Sequence, residues 1–285
     1  MLSLPSLHRA LDLASTDRMI DFCLDKGVTG LTVLGIMGEA PKLTAAESIL
    51  FVRRVLARAR GRVPVVVGVS SPGFAAMQEL ADQVMQAGAA GVMVAPSSSL
   101  RSDDQIRAYF ETAADTLGRT PFVLQDFPLV TGVQMPISVI MAIIRTCPSC
   151  VMLKHEDWPG LNKISTLRNA SKDKAGETGS LRRVSILCGN GGMFLPEELG
   201  RGADGAMTGF AYPEMMVDVC AAHGRGDVER AHDLFDAYLP LMRYESQPGL
   251  GLLVRKHVLA RRGVIASSAI RAGSFPAVIL PRPNG

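Results

Sequence analysis

The chain has 285 residues, of which 47% are hydrophobic and 20% are charged, and its formal net charge is +3 at pH 7. This composition is typical of a globular protein with a sizeable core. No long run of Lys and Arg occurs, and no apolar stretch reaches the roughly 18 residues that a membrane helix needs. We therefore expect neither nucleic acid nor a membrane as a partner.

The cysteines form an odd and widely spread set: Cys23, Cys147, Cys150, Cys188 and Cys220. Such a set indicates reduced thiols, and the N-terminus shows no secretory signal, so we expect a cytoplasmic protein. The segment Cys147-Pro-Ser-Cys150 has the spacing of a metal or redox pair. It lacks a second pair and a nearby His at ligand spacing, so no metal site is expected.

Short, continuously apolar runs alternate with amphipathic segments along most of the chain. The predicted strands are Gly30–Gly35, Val63–Val69, Gly91–Ala95, Phe122–Gln125, Val151–Lys154, Val184–Cys188 and Gly205–Thr208. Between them lie helix-like stretches such as Ala45–Arg60, Phe74–Ala87 and Asp103–Leu117. This alternation predicts a parallel sheet, either closed as a (β/α)8 barrel or open and doubly wound.

The polar residues that follow the predicted strands favour the barrel. They are Gly38-Glu39, Ser70-Ser71, Ser97-Ser98-Ser99, Gln125-Asp126, Lys154-His155 and Gly189-Asn190. In a barrel all of these converge on the C-terminal mouth, where active sites lie. No Gly-x-Gly-x-x-Gly fingerprint opens a helix after the first strand, which argues against a dinucleotide-binding sheet. The predicted fold class is therefore α/β, a TIM barrel with a C-terminal helical extension.

The predicted organisation has three parts. Residues 1–209 form the barrel, whose first strand is poorly represented in Met1–Ala10, residues 210–272 form the helical part, and residues 273–285 form an irregular tail. The helical part is predicted to contain Pro213–His223, Val228–Arg243 and Leu252–Arg262. Ser171–Leu181 is predicted to be a flexible loop.

Lys154 ends the apolar run Val151–Leu153 and is followed at once by polar residues. This pattern indicates a buried strand that delivers one amine to the mouth of a site. A lysine amine in a partly dry pocket loses its proton more readily, and the neutral amine can attack a carbonyl carbon to form a Schiff base. The alternative is a strand-end lysine whose amine extends to water.

Several motifs occur in an order and at spacings that match a known family. Gly35-Ile36-Met37-Gly38-Glu39 stands where the family has Gly-Thr-Thr-Gly-Glu. Gln125-Asp126-Phe127-Pro128, followed by Thr131-Gly132, stands where the family has Tyr-Asn-x-Pro and Thr-Gly. Leu153-Lys154 stands at the Schiff-base lysine, and Gly189 and Gly202-Ala203-Asp204-Gly205 stand at two glycine turns of the family. On these landmarks the chain resembles the dihydrodipicolinate synthase / N-acetylneuraminate lyase family of Schiff-base lyases. The resemblance runs from about Leu11 to Arg271, nearly the whole chain.

The resemblance implies a barrel with a C-terminal helical part and a homotetramer or homodimer. It implies that pyruvate or a related 2-oxo acid binds as an imine on Lys154, with no metal or organic cofactor. The substrate carboxylate would be held by backbone amides around Ile36 and Met37, and Gln125 and Gly189 would also lie at the substrate. Because these donors are backbone N–H groups, the replacement of the family's threonines by Ile36 and Met37 does not remove them.

The sequence departs from the family at its proton relay. The second threonine is Met37, the catalytic tyrosine is Gln125, and the arginine for the second substrate's carboxylate falls at about Val130. No Tyr occurs in Ser97–Ser99, near the place of the aromatic residue that a neighbouring subunit lends. Because Met and Gln side chains do not titrate, dihydrodipicolinate synthesis and sialic-acid cleavage are both doubtful.

Two titratable groups close to Lys154 in sequence are candidates to replace the relay. Asp126 stands where the family has Asn, and His155 follows the lysine. A histidine suits acid–base chemistry near neutral pH. The alternative for His155 is that strand alternation turns it away from the barrel interior.

The leading hypothesis is a lyase or aldolase that acts on a 2-oxo acid through Lys154, with Asp126 and His155 as further catalytic candidates. The alternative is a non-catalytic family member that binds a 2-oxo acid as a sensor or interaction protein. Loss of Tyr and Thr favours this alternative, and retention of the lysine opposes it. A nucleotide-dependent α/β enzyme is disfavoured because a phosphate-binding loop is absent.

Overall fold

A computed structural model describes residues 10–158, 160–171 and 181–271 of the chain. Within these residues seven parallel strands form one curved sheet, in which each strand pairs with the next along the chain. The strands are β1 Leu31–Val33, β2 Val65–Gly68, β3 Gly91–Val94, β4 Phe122–Asp126, β5 Cys150–His155, β6 Ser185–Cys188 and β7 Gly205–Ala206. Every predicted strand is confirmed to within two residues at either end.

Helices separate the strands and continue after the last one. They are α1 Leu13–Asp25, α2 Ala45–Ala59, α3 Phe74–Gln86, α4 Asp103–Leu117, α5 Pro128–Thr131, α6 Ile137–Thr146, α7 Leu161–Ala170, α8 Leu195–Gly200, α9 Pro213–Gly224, α10 Val228–Asp236, α11 Leu239–Glu245 and α12 Gly251–Arg261. Short 3-10 turns occupy Ile36–Gly38, Ala40–Lys42 and Asn190–Gly192. This architecture confirms the predicted class, a (β/α)8 TIM barrel with a C-terminal helical extension.

Local sequence explains where several helices begin and end. At the start of α2, Thr44 and Glu47 form a reciprocal capping box, and Ser102 caps α4 through the backbone N–H of Gln105. The prediction of one helix over Val228–Arg243 was wrong, because the chain divides into α10 and α11. Pro240 stands in the first turn of α11, and a proline is tolerated there but disrupts a helix interior.

The sheet separates two apolar layers. Residues on its outer face, such as Leu124 and Leu153, pack against helix residues such as Ile164 in the main core. The inner face contributes Met93, Val123 and Met207, with Val66, Met152 and Leu187 packed against them. Since successive side chains of a strand point to opposite faces, Gln125 and Lys154 share the inner face, whereas Asp126 and His155 share the outer face.

Some predictions concern segments outside the described residues. The predicted first barrel strand falls on residues 1–9, most of the predicted loop on 172–180, and the predicted tail on 272–285. The division of the chain at residue 209 stays a prediction. In the part of the chain that the structure describes, no helix combines the length and the apolar character that crossing a membrane requires.

Candidate active site

A cavity of about 90 Å³ lies at the carboxyl ends of the strands. Its walls come from the turn after β1, the end of β5, the turn after β6, the segment after β7, and the C-terminal helices. The polar and motif residues in these walls are Thr32, Gly35, Ile36, Gly38, Lys154, Glu156, Asn190, Gly191, Thr208, Gly209, Glu245, Ser246 and Arg255. Met93 and Met207 supply an apolar floor.

Lys154 reaches this cavity from the inner face of β5. The residue is 8% exposed, and its backbone pairs with Gln125 on β4 and with Leu187 on β6. Below it, Met152 packs against the apolar layer inside the sheet. The amine therefore stands where the apolar interior of the barrel ends and the polar mouth begins.

Glu156 is the side chain that the fold places beside this amine. Its Oε1 lies 3.1 Å from Lys154 Nζ and accepts a hydrogen bond of 3.1 Å from the backbone N–H of Asn190. Its Oε2 accepts a hydrogen bond of 2.6 Å from Gln125 Nε2. Glu156 is 2% exposed, so this carboxylate is fixed on several sides in a buried position.

Gly189 makes room for Glu156. A Cβ on Gly189 would stand 2.2 Å from Glu156 Cγ, closer than two carbon atoms can approach. The backbone N–H of Gly189 donates to the carbonyl of His155 at 2.8 Å, which holds the turn against β5. Gly189 was predicted to contact substrate, and this stays a prediction; the structure places it against Glu156.

Asp126 and His155 are not brought to Lys154. Asp126 Oδ2 accepts a hydrogen bond of 2.6 Å from Lys163 on α7, and His155 Nδ1 lies 3.0 Å from Glu198 Oε1 on α8. Burial raises the pKa of the Asp126 carboxyl, and the nearby Lys163 ammonium opposes that shift. Both residues sit between sheet and helices because the outer face of a strand points there. Their catalytic roles stay predictions.

The sequence analysis did not select Glu156, although the signal was available. Residues i and i+2 of a strand share a face, so an inward Lys154 predicts that residue 156 follows it and that His155 does not. Proximity in sequence favoured His155, whereas proximity in space favours Glu156. Gln125, in the place of the family's tyrosine, donates to Glu156.

The first motif forms a tight, pinned turn at the cavity. The 3-10 turn Ile36–Gly38 follows an extended Gly35, and its first hydrogen bond runs from Gly38 N–H to the Gly35 carbonyl. The amide groups of Ile36 and Met37 precede that bond and have no partner within the turn. Glu39, at a φ of +64°, is 3% exposed and contacts the Lys256 amine.

The C-terminal helices contribute a buried ion pair to the cavity wall. Arg255 Nε donates to Glu245 Oε2 at 2.7 Å, and Glu245 Oε1 accepts a hydrogen bond of 3.3 Å from the backbone N–H of Ala211. Burial raises the pKa of Glu245, and Arg255 opposes the shift. The sequence analysis predicted this region as helical packing and gave no sign that it reaches the site.

The two spaced cysteines form part of the core. Cys147 and Cys150 are buried free thiols, and burial raises the pKa of Cys150 to about 12. Such a thiol is a poor nucleophile near neutral pH. Across the described ranges, no group of three or more His, Cys, Asp or Glu side chains is arranged to hold a metal ion.

Two named enzymes and one solved structure resemble this chain over most of its length. An L-2-keto-3-deoxyarabonate dehydratase from Azospirillum brasilense is 29% identical over 266 residues, which cover 92% of this chain and 82% of that protein. A 4-hydroxy-tetrahydrodipicolinate synthase from Oceanobacillus iheyensis is 28% identical over 243 residues, covering 83% and 77%. The crystal structure of a dihydrodipicolinate synthase from Rhodopseudomonas palustris is 54% identical with a TM-score of 0.91, covering 95% and 88%.

The family model described as the dihydrodipicolinate synthetase family matches residues 6–277. This span contains all of the described residues, including the motif turn, Lys154 and the C-terminal helices. The match agrees with the resemblance that the motifs indicate. The chain belongs to the dihydrodipicolinate synthetase family, whose members are lyases of the class I aldolase type.

Proposed function

We propose that this chain is a Schiff-base lyase that acts on pyruvate or a related 2-oxo acid through Lys154, and that it is not a true dihydrodipicolinate synthase. The observation that carries the proposal is one buried amine at the cavity with a fixed carboxylate 3.1 Å away. An amine and a proton acceptor at hydrogen-bond distance are the two groups that imine formation needs.

The first chemical step is attack of the neutral Lys154 amine on the ketone carbon of the substrate. Glu156 accepts the proton that leaves the Lys154 ammonium and returns a proton to the hydroxyl of the carbinolamine. That hydroxyl departs as water, and the C=N bond of the imine forms. The protonated imine then withdraws electrons from the neighbouring carbon, which permits cleavage or formation of a C–C bond or loss of water.

The substrate carboxylate is assigned to the amide groups of Ile36 and Met37, which precede the first hydrogen bond of the motif turn. Gln125 orients Glu156 through its amide, and Gly189 leaves space for the Glu156 side chain. This assignment gives the proton transfer to Glu156. Asp126 and His155 are assigned no direct contact with the substrate, and any effect of theirs on catalysis passes through β4 and β5, the strands that carry them.

The choice between condensation and elimination rests on the residues around the imine. The relatives carry names of both kinds, a synthase and a dehydratase. Met37 and Gln125 replace the titratable or hydroxyl-bearing residues of the family relay, and Val130 stands at about the place of its arginine. We therefore expect condensation of pyruvate with aspartate semialdehyde to be slow, and we place the protein in the cytoplasm as a homotetramer or homodimer.

Reductive trapping tests the proposal directly. With pyruvate and borohydride, intact-mass measurement should show one adduct per chain, and Lys154→Arg should abolish it. Lys163→Arg is the matched control, because it removes a half-buried primary amine outside the cavity yet keeps a cation for Asp126 and Asp157. An undiminished adduct in Lys154→Arg would refute the assignment. Pyruvate binding without any adduct in the parent protein would favour a non-catalytic binding protein instead.

A further inference from the structure

The turn that presents the Ile36 and Met37 amide groups lies between two strained residues. Among the described residues, four that are not glycine have a φ in the left-handed region, and two of these are Leu34 at +54° and Glu39 at +64°. They stand directly before and after residues 35–38. A left-handed backbone is costly for a residue with a side chain and persists only where the surroundings impose it. The turn therefore depends on support from outside itself.

The Glu39 carboxylate receives such support from the C-terminal part of the chain. Its Oε2 contacts the Lys256 ammonium on α12, and its Oε1 accepts a hydrogen bond of 3.0 Å from the backbone N–H of Arg271. These contacts join positions that are 217 and 232 residues apart along the chain. Lys256 is fully buried, and its ammonium also donates to the Ala269 carbonyl at 2.9 Å. Helix α12 and residues 269–271 are therefore held together around this carboxylate.

Lys42 links the same carboxylate to the same C-terminal residues. Its Nζ lies 3.1 Å from Glu39 Oε1 and donates to the Arg271 carbonyl at 2.9 Å. The Arg271 guanidinium donates in turn to the Lys42 carbonyl at 3.0 Å and to Glu47 Oε2 at 2.8 Å. The residues that close on this carboxylate are called here the Glu39 clamp, and they are Glu39, Lys42, Lys256 and Arg271.

The clamp reaches the cavity only through its neighbours in the chain. Among the described residues that line the cavity, none belongs to the clamp, but Gly38 and Arg255 do line it, and they directly precede Glu39 and Lys256. Backbone donors bind an anion well when they are fixed before it arrives, because ordering them on binding would cost affinity. A device that fixes the turn from behind therefore affects how well the turn holds a carboxylate.

We propose that the three basic members of the clamp are positioning residues, which act through Glu39 to fix the turn that binds the substrate carboxylate. Helix α12 and residues 269–271 then determine the affinity for a 2-oxo acid without contacting it. This inference rests on the proposed function, because that function assigns the substrate carboxylate to the turn. A clamp that only stabilises the fold would affect every ligand of the cavity alike.

Pyruvate and acetone test the clamp, because both offer a ketone carbon to Lys154 and only pyruvate brings a carboxylate. The measured quantity is the ligand concentration that gives half-maximal borohydride-trapped adduct on the full chain. Lys42→Met removes one ammonium of the clamp. The Lys42 side chain is 26% exposed and Lys256 still pairs with Glu39, so this variant should fold.

We expect Lys42→Met to need about tenfold more pyruvate, since a weakened hydrogen bond to a charged group costs roughly that factor. It should need no more acetone than the parent protein does. The rate of imine formation at saturating pyruvate should stay parental, because the Lys154 amine and Glu156 are unchanged.

Three further variants complete the test. Lys42→Arg restores a cation with several donors and should recover most of the parental affinity for pyruvate. Glu39→Gln keeps the size of the side chain but removes its charge, and it should show the same selective loss for pyruvate. Lys26→Met is the control, because Lys26 is exposed at the end of α1, before β1 begins, and it should behave as the parent protein.

The clamp proposal is refuted if Lys42→Met retains the parental affinity for pyruvate, or if its requirements for pyruvate and acetone rise by the same factor. Absence of a pyruvate adduct in the parent protein would refute the Schiff-base function instead. Calorimetric titration of the parent and Lys42→Met with pyruvate would then decide on the clamp alone. Equal pyruvate affinity in the two proteins, or no binding to the parent, would refute it as well.

Discussion

Replacement of Gly189 by alanine should displace Glu156 and slow imine formation. The new Cβ would lie 2.2 Å from Glu156 Cγ and 2.7 Å from Glu156 Cδ, whereas ordinary contact begins at 3.4 Å. The Gly189 backbone is held by its hydrogen bond to the His155 carbonyl, so the carboxylate side chain must move instead. The φ of Gly189 is −108°, outside the left-handed region that favours glycine, and the perturbation that the structure shows is the contact with Glu156.

The size of the effect follows from that distance. Glu156 must retreat by about 1.2 Å, which breaks hydrogen bonds of 2.6 Å to Gln125 and 3.1 Å to Asn190 N–H. A misplacement of roughly 1 Å at a reacting group can cost about 10²-fold in rate. Overpacking of a buried site also lowers the free energy of unfolding by about 1–3 kcal/mol.

The loss of rate and the loss of stability are measured separately. Borohydride quenching at fixed times gives the rate of pyruvate imine formation, and urea unfolding gives the free energy of unfolding. Gly200→Ala is the matched control, because a Cβ there meets nothing within 4 Å and the residue lies in α8. This control should retain the parental rate and stability.

A double-mutant cycle with Glu156→Ala isolates the contact. In the Glu156→Ala background the three atoms nearest to the new Cβ, which are Cγ, Cδ and Oε1 of Glu156, are gone, so most of the stability loss should disappear. The coupling free energy between the two sites should then lie at about 0.5–3 kcal/mol. An equal stability loss in both backgrounds, or a Gly189→Ala protein with the parental rate of imine formation, would refute the assigned packing.

Three further predictions concern named carboxylates. Glu156→Gln should slow pyruvate imine formation by about 10²–10⁴-fold in the same quenching assay, as loss of a general acid–base does; a parental rate would exclude Glu156 from the transfer. The Arg271 guanidinium lowers the pKa of Glu47 to about 2, so this pair stabilises the fold above the ordinary value of 4.5, and the stabilisation is lost as the pH falls towards 2. Because Glu47 is 26% exposed, Glu47→Gln should cost at most about 1 kcal/mol in urea unfolding at pH 7 and less as the pH falls towards 2. Lys256→Met should lower the free energy of unfolding by about 3–5 kcal/mol, because it leaves Glu39 buried without its fully buried partner, and the loss should be smaller in a Glu39→Gln background.

The order of strands and helices could be predicted because it depends on local patterns. Continuous apolar runs bounded by Gly and polar residues identified every strand of the described sheet, and the capping sequence at Thr44 agrees with the start of α2. The division between α10 and α11 was missed, although Pro240 was a visible signal. The amphipathic period of Val228–Arg243 led to the prediction of one continuous helix despite that proline.

The candidate site was predicted only where local sequence determines it. Lys154 was predicted because it ends a buried strand and also fits the motif order of the family, and the structure places it at the cavity. Its catalytic role stays a prediction. Asp126 and His155 were chosen because they are neighbours along the chain, yet the structure turns both towards helices α7 and α8. Glu156 is one residue further and on the opposite face from His155, so strict use of the two-residue period would have selected it.

The sequence by itself therefore determined the barrel class and the family and predicted the lysine, since period, punctuation and motif order are properties of the chain. Only the tertiary structure decided what surrounds that lysine. Glu245 and Arg255 lie about a third of the chain away from Lys154, and the curvature of the sheet and the packing of α11 and α12 bring them to the same cavity. No local pattern encodes such a meeting, because it depends on how whole elements pack against one another.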